Sequence, residues 1–237
     1  PARRNEHGGK TVAISDCEPN VAKLEGLLLS KANRIMIKLS PMLDLSQALK
    51  ELPHTQEVHI ISVNNECKEL LLLLGQTAPE EIQVHCVNLS TKGEQEKQLF
   101  VFTREQEQHS ECSYTDTLGN YLYEPNASLL KAGAFRSIAA AYSVKKLHPN
   151  SHLYTSETQI EGFPGRTFRI INRCSLNKKE IKENLSDLKK ANITVRNFPA
   201  TVAELRKRIK LAEGGDTYLF ASTLNDGQKI LIRCGKV

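Results

Sequence analysis

Short apolar runs alternate with amphipathic stretches through the first hundred residues. Thr11–Ser15 (TVAIS) reads as a short alternating strand or loop edge. Glu18-Pro19-Asn20 then opens a helix, with Asn20 as its cap and Leu24, Leu27 and Leu28 as its apolar face. Arg34–Leu39 (RIMIKL) reads as a strand that Ser40-Pro41 stops, and Asp44 precedes a short amphipathic helix over Leu45–Leu52. Val58–Val63 (VHIISV) is a buried-strand pattern, and Cys67–Leu74 predicts a helix closed by Gly75. Ile82–Leu89 and Gln98–Phe102 read as two strands joined by a polar Ser-Thr-Lys-Gly loop. Strand and helix in alternation predict an α/β layer whose sheet is parallel with an antiparallel edge. Arg104–Gly119 is polar and reads as a linker or a long edge loop.

The pattern then restarts. Asn126–Leu147 is mostly helical, broken at Lys131-Ala132-Gly133, and Leu153–Thr155 is a short strand. Phe163-Pro164-Gly165 is a turn before a strand at Thr167–Ile171. Asn177 caps a helix to Ala191 with Ile181, Leu185 and Leu188 inward; Ile193–Asn197 is a strand; Thr201 caps a helix to Ala212, ended by Gly214-Gly215. Leu219–Thr223 and Lys229–Arg233 form a hairpin around Asn225-Asp226-Gly227.

Composition narrows the classes. The chain has 237 residues, 40% hydrophobic and 25% charged, an ordinary globular balance with room for more than one domain. No apolar run approaches the roughly 18 residues of a membrane span, and the N-terminus lacks a signal peptide's apolar stretch. A cytoplasmic protein without membrane partners is the expectation. The six cysteines form no Cys-x-x-Cys pair and the seven histidines are scattered, so neither a disulfide frame nor a metal centre is expected. His85-Cys86 reads as strand packing. The net charge of +5 hides an asymmetry. Residues 1–127 carry 12 Lys+Arg against 18 Asp+Glu, a net of −6, whereas residues 128–237 carry 20 against 9, a net of +11. A polyanion such as RNA suits the second half.

The opening Pro1-Ala2-Arg3-Arg4, with Asp16-Cys17-Glu18-Pro19 and Lys38-Leu39-Ser40-Pro41-Met42-Leu43-Asp44 after it, resembles a bacterial family of class I S-adenosylmethionine-dependent methyltransferases. That family carries Asp-Pro-Ala-Arg-Arg at the end of its fourth sheet strand. Tyr123-Glu124-Pro125-Asn126-Ala127-Ser128-Leu129-Leu130-Lys131-Ala132-Gly133 resembles the start of its ferredoxin-like piece, and the stretch from about Asn172 resembles its THUMP-like domain. The resemblance implies an α/β fold: the C-terminal part of a Rossmann-like methyltransferase sheet, then a smaller α+β module. The implied division is 1–119 for the methyltransferase part with linker, 120–171 for the ferredoxin-like piece and 172–237 for the THUMP-like domain. It further implies methyl transfer from S-adenosylmethionine to RNA presented by the THUMP-like part. The alternative is a non-catalytic RNA-binding protein with a degenerate sheet.

Cofactor binding in this class needs a glycine-rich loop after the first strand and an acid after the second. Neither is found, and Gly8-Gly9 is a lone pair in a polar loop, so this chain alone is not expected to bind S-adenosylmethionine; those contacts are expected upstream of Pro1. Pro1, Arg3 and Arg4 stand at the trailing edge of the catalytic loop by resemblance, the arginines able to hold a phosphate or carboxylate or else merely solvated. Lys38 and Ser40 close the Arg34–Leu39 strand, where ligands of open α/β sheets bind. On the second half, Lys178, Lys179 and Lys182 on one helix and Arg206, Lys207, Arg208 and Lys210 on the next form a candidate nucleic-acid surface with Arg166, Arg169 and Arg196 on neighbouring strands. Phe163 and Phe168 could stack bases or pack a core.

Overall fold

The computed structural model describes residues 13–91 and 97–237. Residues 1–109 with 126–134 form one unit, and residues 110–125 with 135–237 a second.

The first unit turns on Asn64-Asn65. Both residues take positive φ, 50° and 63°, the pair of left-handed conformations that a two-residue hairpin requires and asparagine tolerates. This turn folds β2 (Thr55–Val63) back onto β3 (Glu66–Leu74). The helix expected over Cys67–Leu74 is thus a strand. Leucine favours helices, but here burial decides: Leu70, Leu72 and Leu74 are fully buried on one face, while Leu71 and Leu73 are half-buried on the other. The sheet runs β1 (Ile35–Leu39), β3, β2, β4 (Gln83–Leu89), β5 (Lys97–Thr103). Only β2 and β4 pair in parallel, so the expected mainly parallel sheet is mostly antiparallel. The two hairpins, β2–β3 and β4–β5, impose this.

Helix α1 (Val21–Leu29) starts at Asn20 and α2 (Leu45–Glu51) at Asp44, each cap accepting a backbone N–H of the first turn. The apolar face expected on α1 is not the buried one. Leu27 is exposed, whereas Leu29 and Glu25 are buried, the Glu25 carboxylate accepting the His54 backbone N–H at 3.3 Å. Ile14 opens a short 3-10 turn (Ile14–Asp16) in the stretch read as a short strand or loop edge. Within the stretch read as a linker or long edge loop, Arg104–His109 is helical (α3). Asn126 caps α4 (Ala127–Ala132), which packs over β2, β3 and β4 and ends at Gly133 with φ +74°.

The second unit is a seven-stranded sheet in the order β10 (Asn192–Arg196), β11 (Thr217–Thr223), β12 (Lys229–Lys236), β9 (Gly165–Cys174), β6 (Tyr121–Pro125), β8 (Tyr154–Ser156), β7 (Lys145–Lys146). All neighbours are antiparallel except β10 and β11. Successive residues serve opposite faces: Leu219, Ala221 and Leu231 join one buried cluster, and Phe220, Ile230 and Ile232 the other. Helices α5 (Phe135–Tyr142), α6 (Lys178–Leu185) and α7 (Val202–Ile209) complete it. α6 stops short of Ala191, and α7 ends at Lys210, itself at φ +63°, before the Gly214-Gly215 expected to end it.

Glu124 on β6 is 2% exposed. Arg166, directly opposite on β9, donates to its Oε2 through Nε at 2.9 Å and through its terminal nitrogen, and Arg196 of β10 donates to Oε1 at 2.9 Å. The two strands approach so closely here that a Cβ on Gly165 would collide with the Glu124 carbonyl oxygen. A buried carboxylate shared by two guanidiniums leaves a large imbalance if its charge is removed. Because both arginines reach solvent, Glu124→Gln should cost about 1–3 kcal/mol, less than a fully buried pair would. Asp187→Asn, which breaks the more exposed Asp187–Arg233 pair, should cost clearly less than Glu124→Gln. Equal urea midpoints for the two variants would contradict this.

His152 takes φ +51°, stacks on Phe135 at 3.7 Å, and its Nδ1 is buried without a hydrogen-bond partner among the described residues. Burial, then the positive charges of Lys146 and Arg196, lower its pKa to about 4. Between that value and an unfolded histidine's of about 6.5, the unfolded chain binds the extra proton, so stability falls as pH drops through this window. His152→Asn, which keeps a neutral side chain that tolerates positive φ, should lessen the loss of denaturation midpoint between pH 7 and pH 4.5. An unchanged pH slope would refute the assignment.

Candidate functional site

The basic surface expected on the second half is built on two capped helices. Asn177 accepts the Glu180 N–H at 2.8 Å to start α6, and Thr201 with Glu204 forms a reciprocal capping box on α7. Hydrogen bonds from Ser175, backbone first, lower the pKa of Glu180, and those from Thr201 do the same at Glu204. Leu185 and Leu205 anchor the helices in the sheet's core, which turns the remaining positions outward. Lys178, Lys179 and Lys182 are exposed on α6, and Lys207, Arg208 and Lys210 on or just beyond α7. Lys179 lies 4.0 Å from Glu183, and Arg208 donates to the Leu176 carbonyl at 2.7 Å. Lys178, Lys182, Lys207 and Lys210 have no ion-pair or hydrogen-bond partner among the described residues.

The arginines divide differently. Arg166 and Arg196 are engaged by Glu124, and Arg166 also lies over the Phe168 and Tyr218 rings at 5.4 and 5.9 Å. Arg206 is half-buried, donating to the Ala191 carbonyl and lying 3.8 Å from Glu213. Arg169 is exposed on β9, opposite Tyr121. Phe163 and Phe168 are 4% and 1% exposed, so they are core residues and offer no face to a base.

Of the residues set at the catalytic loop by resemblance, Pro1, Arg3 and Arg4 lie outside the described residues. Lys38 is exposed on β1 and pairs with Glu69 at 2.8 Å; the Ser40 hydroxyl accepts the Met42 N–H at 3.3 Å. Neither side chain points to the other by any hydrogen bond. A cavity of about 320 Å³ in the first unit is lined by Asp44, Ser46, Phe102, Arg104 and Lys131, whose ammonium donates to the Leu43 carbonyl. In the second unit, a cavity of about 290 Å³ is lined largely by hydroxyls, among them Thr115, Thr117, Ser143 and Thr158.

One cluster was missed by sequence reading. Glu57, His59 and His85 place ligand atoms within 4.8 Å of one another. The signal is visible only once register is known: Glu57 and His59 alternate on β2, and His85 is the cross-strand partner of His59.

Residues 121–164 match a ferredoxin-like domain family, and residues 165–236 match a THUMP domain-like family. A solved structure, that of a candidate methyltransferase from Porphyromonas gingivalis W83, is 41% identical with a TM-score of 0.87. The match covers 95% of this chain and 56% of that one, so the chain spans little more than half the length of that protein. No curated protein matches the chain. The second unit therefore holds a ferredoxin-like and a THUMP-like domain that share one sheet, β6, β7 and β8 coming from the first and β9, β10, β11 and β12 from the second.

Proposed function

We propose that this chain is part of an S-adenosylmethionine-dependent RNA methyltransferase, in which the THUMP-like domain holds RNA through the lysines of α6 and α7. One observation carries this reading: Lys178, Lys182, Lys207 and Lys210 are exposed cations without partners among the described residues, whereas the neighbouring Arg166, Arg196 and Arg206 are engaged within the fold. Unpaired lysines on two successive helices suit a run of phosphates, which release counterions on binding and so confer steep salt dependence. The similarity to the candidate methyltransferase of P. gingivalis supports the enzyme class.

The described residues do not themselves fit S-adenosylmethionine. In the first unit their glycines are Gly26 inside α1, Gly75 after β3 and Gly133 ending α4. The loop from β1 into α2 is Ser-Pro-Met-Leu-Asp, so no glycine-lined strand-to-helix turn is present among them to admit a cofactor. We therefore propose, as the resemblance implies, that the cofactor is held by residues upstream of Pro1.

Charge reversal of Lys178, Lys182, Lys207 and Lys210 to Glu should weaken binding of single-stranded RNA at least about tenfold. It should also flatten the slope of log affinity against log salt by about 0.7 for each phosphate that is no longer neutralised. Fluorescence anisotropy at about 50 and 200 mM salt reads both. Unchanged affinity, or binding indifferent to salt, would sink the RNA assignment. Isothermal titration of this chain with S-adenosylmethionine should give no saturable heat. Methyl transfer to RNA by the longer protein separates the enzyme from the alternative, an RNA-binding protein whose sheet is degenerate.

A further inference from the structure

The strand period places Glu57 and His59, two residues apart on β2, on one face of the five-stranded sheet. The parallel register of β2 and β4 sets His85 directly beside His59. Their imidazoles stack with centroids 4.3 Å apart and planes 8° from parallel, so their in-plane lone pairs run side by side, and one ring must turn about its side-chain torsions for both to meet one ion. Glu57 Oε2 lies 3.1 Å from His59 Nε2 and 4.0 Å from His85 Nε2. Arg34 holds the other oxygen, Oε1, at 3.2 Å, which keeps Oε2 turned toward the rings.

Two features distinguish this group from an ordinary surface ion pair. First, His85 Nε2 is shielded from solvent and has no hydrogen-bond partner among the described residues. Buried ring nitrogens are normally satisfied, so this one lacks the partner its position calls for. Second, the donor set and spacing suit a cation. Four ligands at about 2.1 Å in a tetrahedron lie about 3.4 Å apart; the two separations from Glu57, 3.1 and 4.0 Å, bracket that value, and all three ligand atoms lie within 4.8 Å of one another, a set that must draw in around an ion. Two imidazoles with one carboxylate are borderline-soft donors, which favour zinc-like ions over calcium or magnesium. The side chains remain 22–31% exposed, enough to admit an ion. Cross-strand neighbours Leu71, beside His59, and Val101, beside His85, are apolar and supply no competing charge, while Lys38 is paired with Glu69.

We propose that Glu57, His59 and His85 form a binding site for a divalent transition ion of the zinc class, with three protein ligands and a fourth position open on the sheet face for water or an exogenous donor. Arg34 is a positioning residue that orients the carboxylate from outside the coordination sphere. The site is independent of the RNA reading, since none of its residues belongs to the THUMP-like domain.

The test uses the chain stripped with chelator and titrated with Zn²⁺ and, separately, with Co²⁺. The site requires one Zn²⁺ per chain, and Co²⁺ visible bands of a nitrogen–oxygen set without the intense thiolate charge transfer that cysteine ligation would add. His59→Ala and His85→Ala should each weaken Zn²⁺ at least about 100-fold, and Arg34→Ala within about 10–100-fold, the range for outer partners. Stoichiometric binding that survives the double His variant, or no binding by the wild-type chain, would overturn the proposal. Should the variants lose their far-UV circular dichroism, imidazole NMR of the wild-type chain decides: Co²⁺ must broaden the His59 and His85 ring signals first, and selective broadening of other histidines refutes the site.

Discussion

Glu124 joins the ferredoxin-like and THUMP-like parts of the second sheet by one buried carboxylate. It stands on β6, the ferredoxin-like strand at the shared boundary, and both of its partners lie in the THUMP-like sequence. A charge at 2% exposure is tolerable only when it is paired and hydrogen-bonded, and here each oxygen has its own guanidinium. The bond between Glu124 and Arg166 also fixes register, because a slip of one residue would turn Arg166 to the other face. The electrostatics of the domain follow from this. Two of its arginines are engaged by Glu124, and the exposed cations include the lysines that the apolar anchors Leu185 and Leu205 turn outward, with Arg169 on β9.

Much of this fold can be read from sequence where local chemistry is decisive. Asn20, Asp44, Asn177 and Thr201 cap helices because each supplies a side-chain oxygen to an otherwise unpaired N–H. The hairpin around Asn225-Asp226-Gly227 forms as expected, with Gly227 at φ +86°. Reading fails where tertiary context outweighs local preference. Leu70–Leu74 has high helical propensity, yet the positive-φ turn at Asn64-Asn65 sends it back as a strand. Lys210 ends α7 in a conformation usually left to glycine, so the glycines downstream misplace the boundary.

The candidate sites follow the same division. Exposed lysines on an amphipathic helix are legible from spacing alone, because position on the helix decides exposure. Whether an arginine is exposed or engaged is not legible, since Arg166 and Arg196 meet Glu124 across 42 and 72 residues of chain. The cluster of Glu57, His59 and His85 was invisible for the related reason that its third member arrives through strand register. His59 and His85 lie far apart in the chain and carry no recognisable metal spacing until β2 and β4 are aligned.

The charge asymmetry gives these sites a common logic. Residues 1–127 carry a net charge of −6, and residues 128–237 carry +11. Counted by unit the contrast narrows: residues 1–109 with 126–134 carry 13 Lys+Arg against 15 Asp+Glu, a net of −2, and residues 110–125 with 135–237 carry 19 against 12, a net of +7, so a polyanion is drawn to the second unit and its lysine helices rather than to Lys38. A divalent cation meets the reverse field, and the proposed site for it lies in the acidic stretch. Neither field creates a site. The proposals rest on local arrangement: lysines without acids beside them on α6 and α7, and a ring nitrogen of His85 without a hydrogen-bond partner among the described residues beside Glu57. The two proposed ligand classes are thereby separated by sign before any specific contact is made.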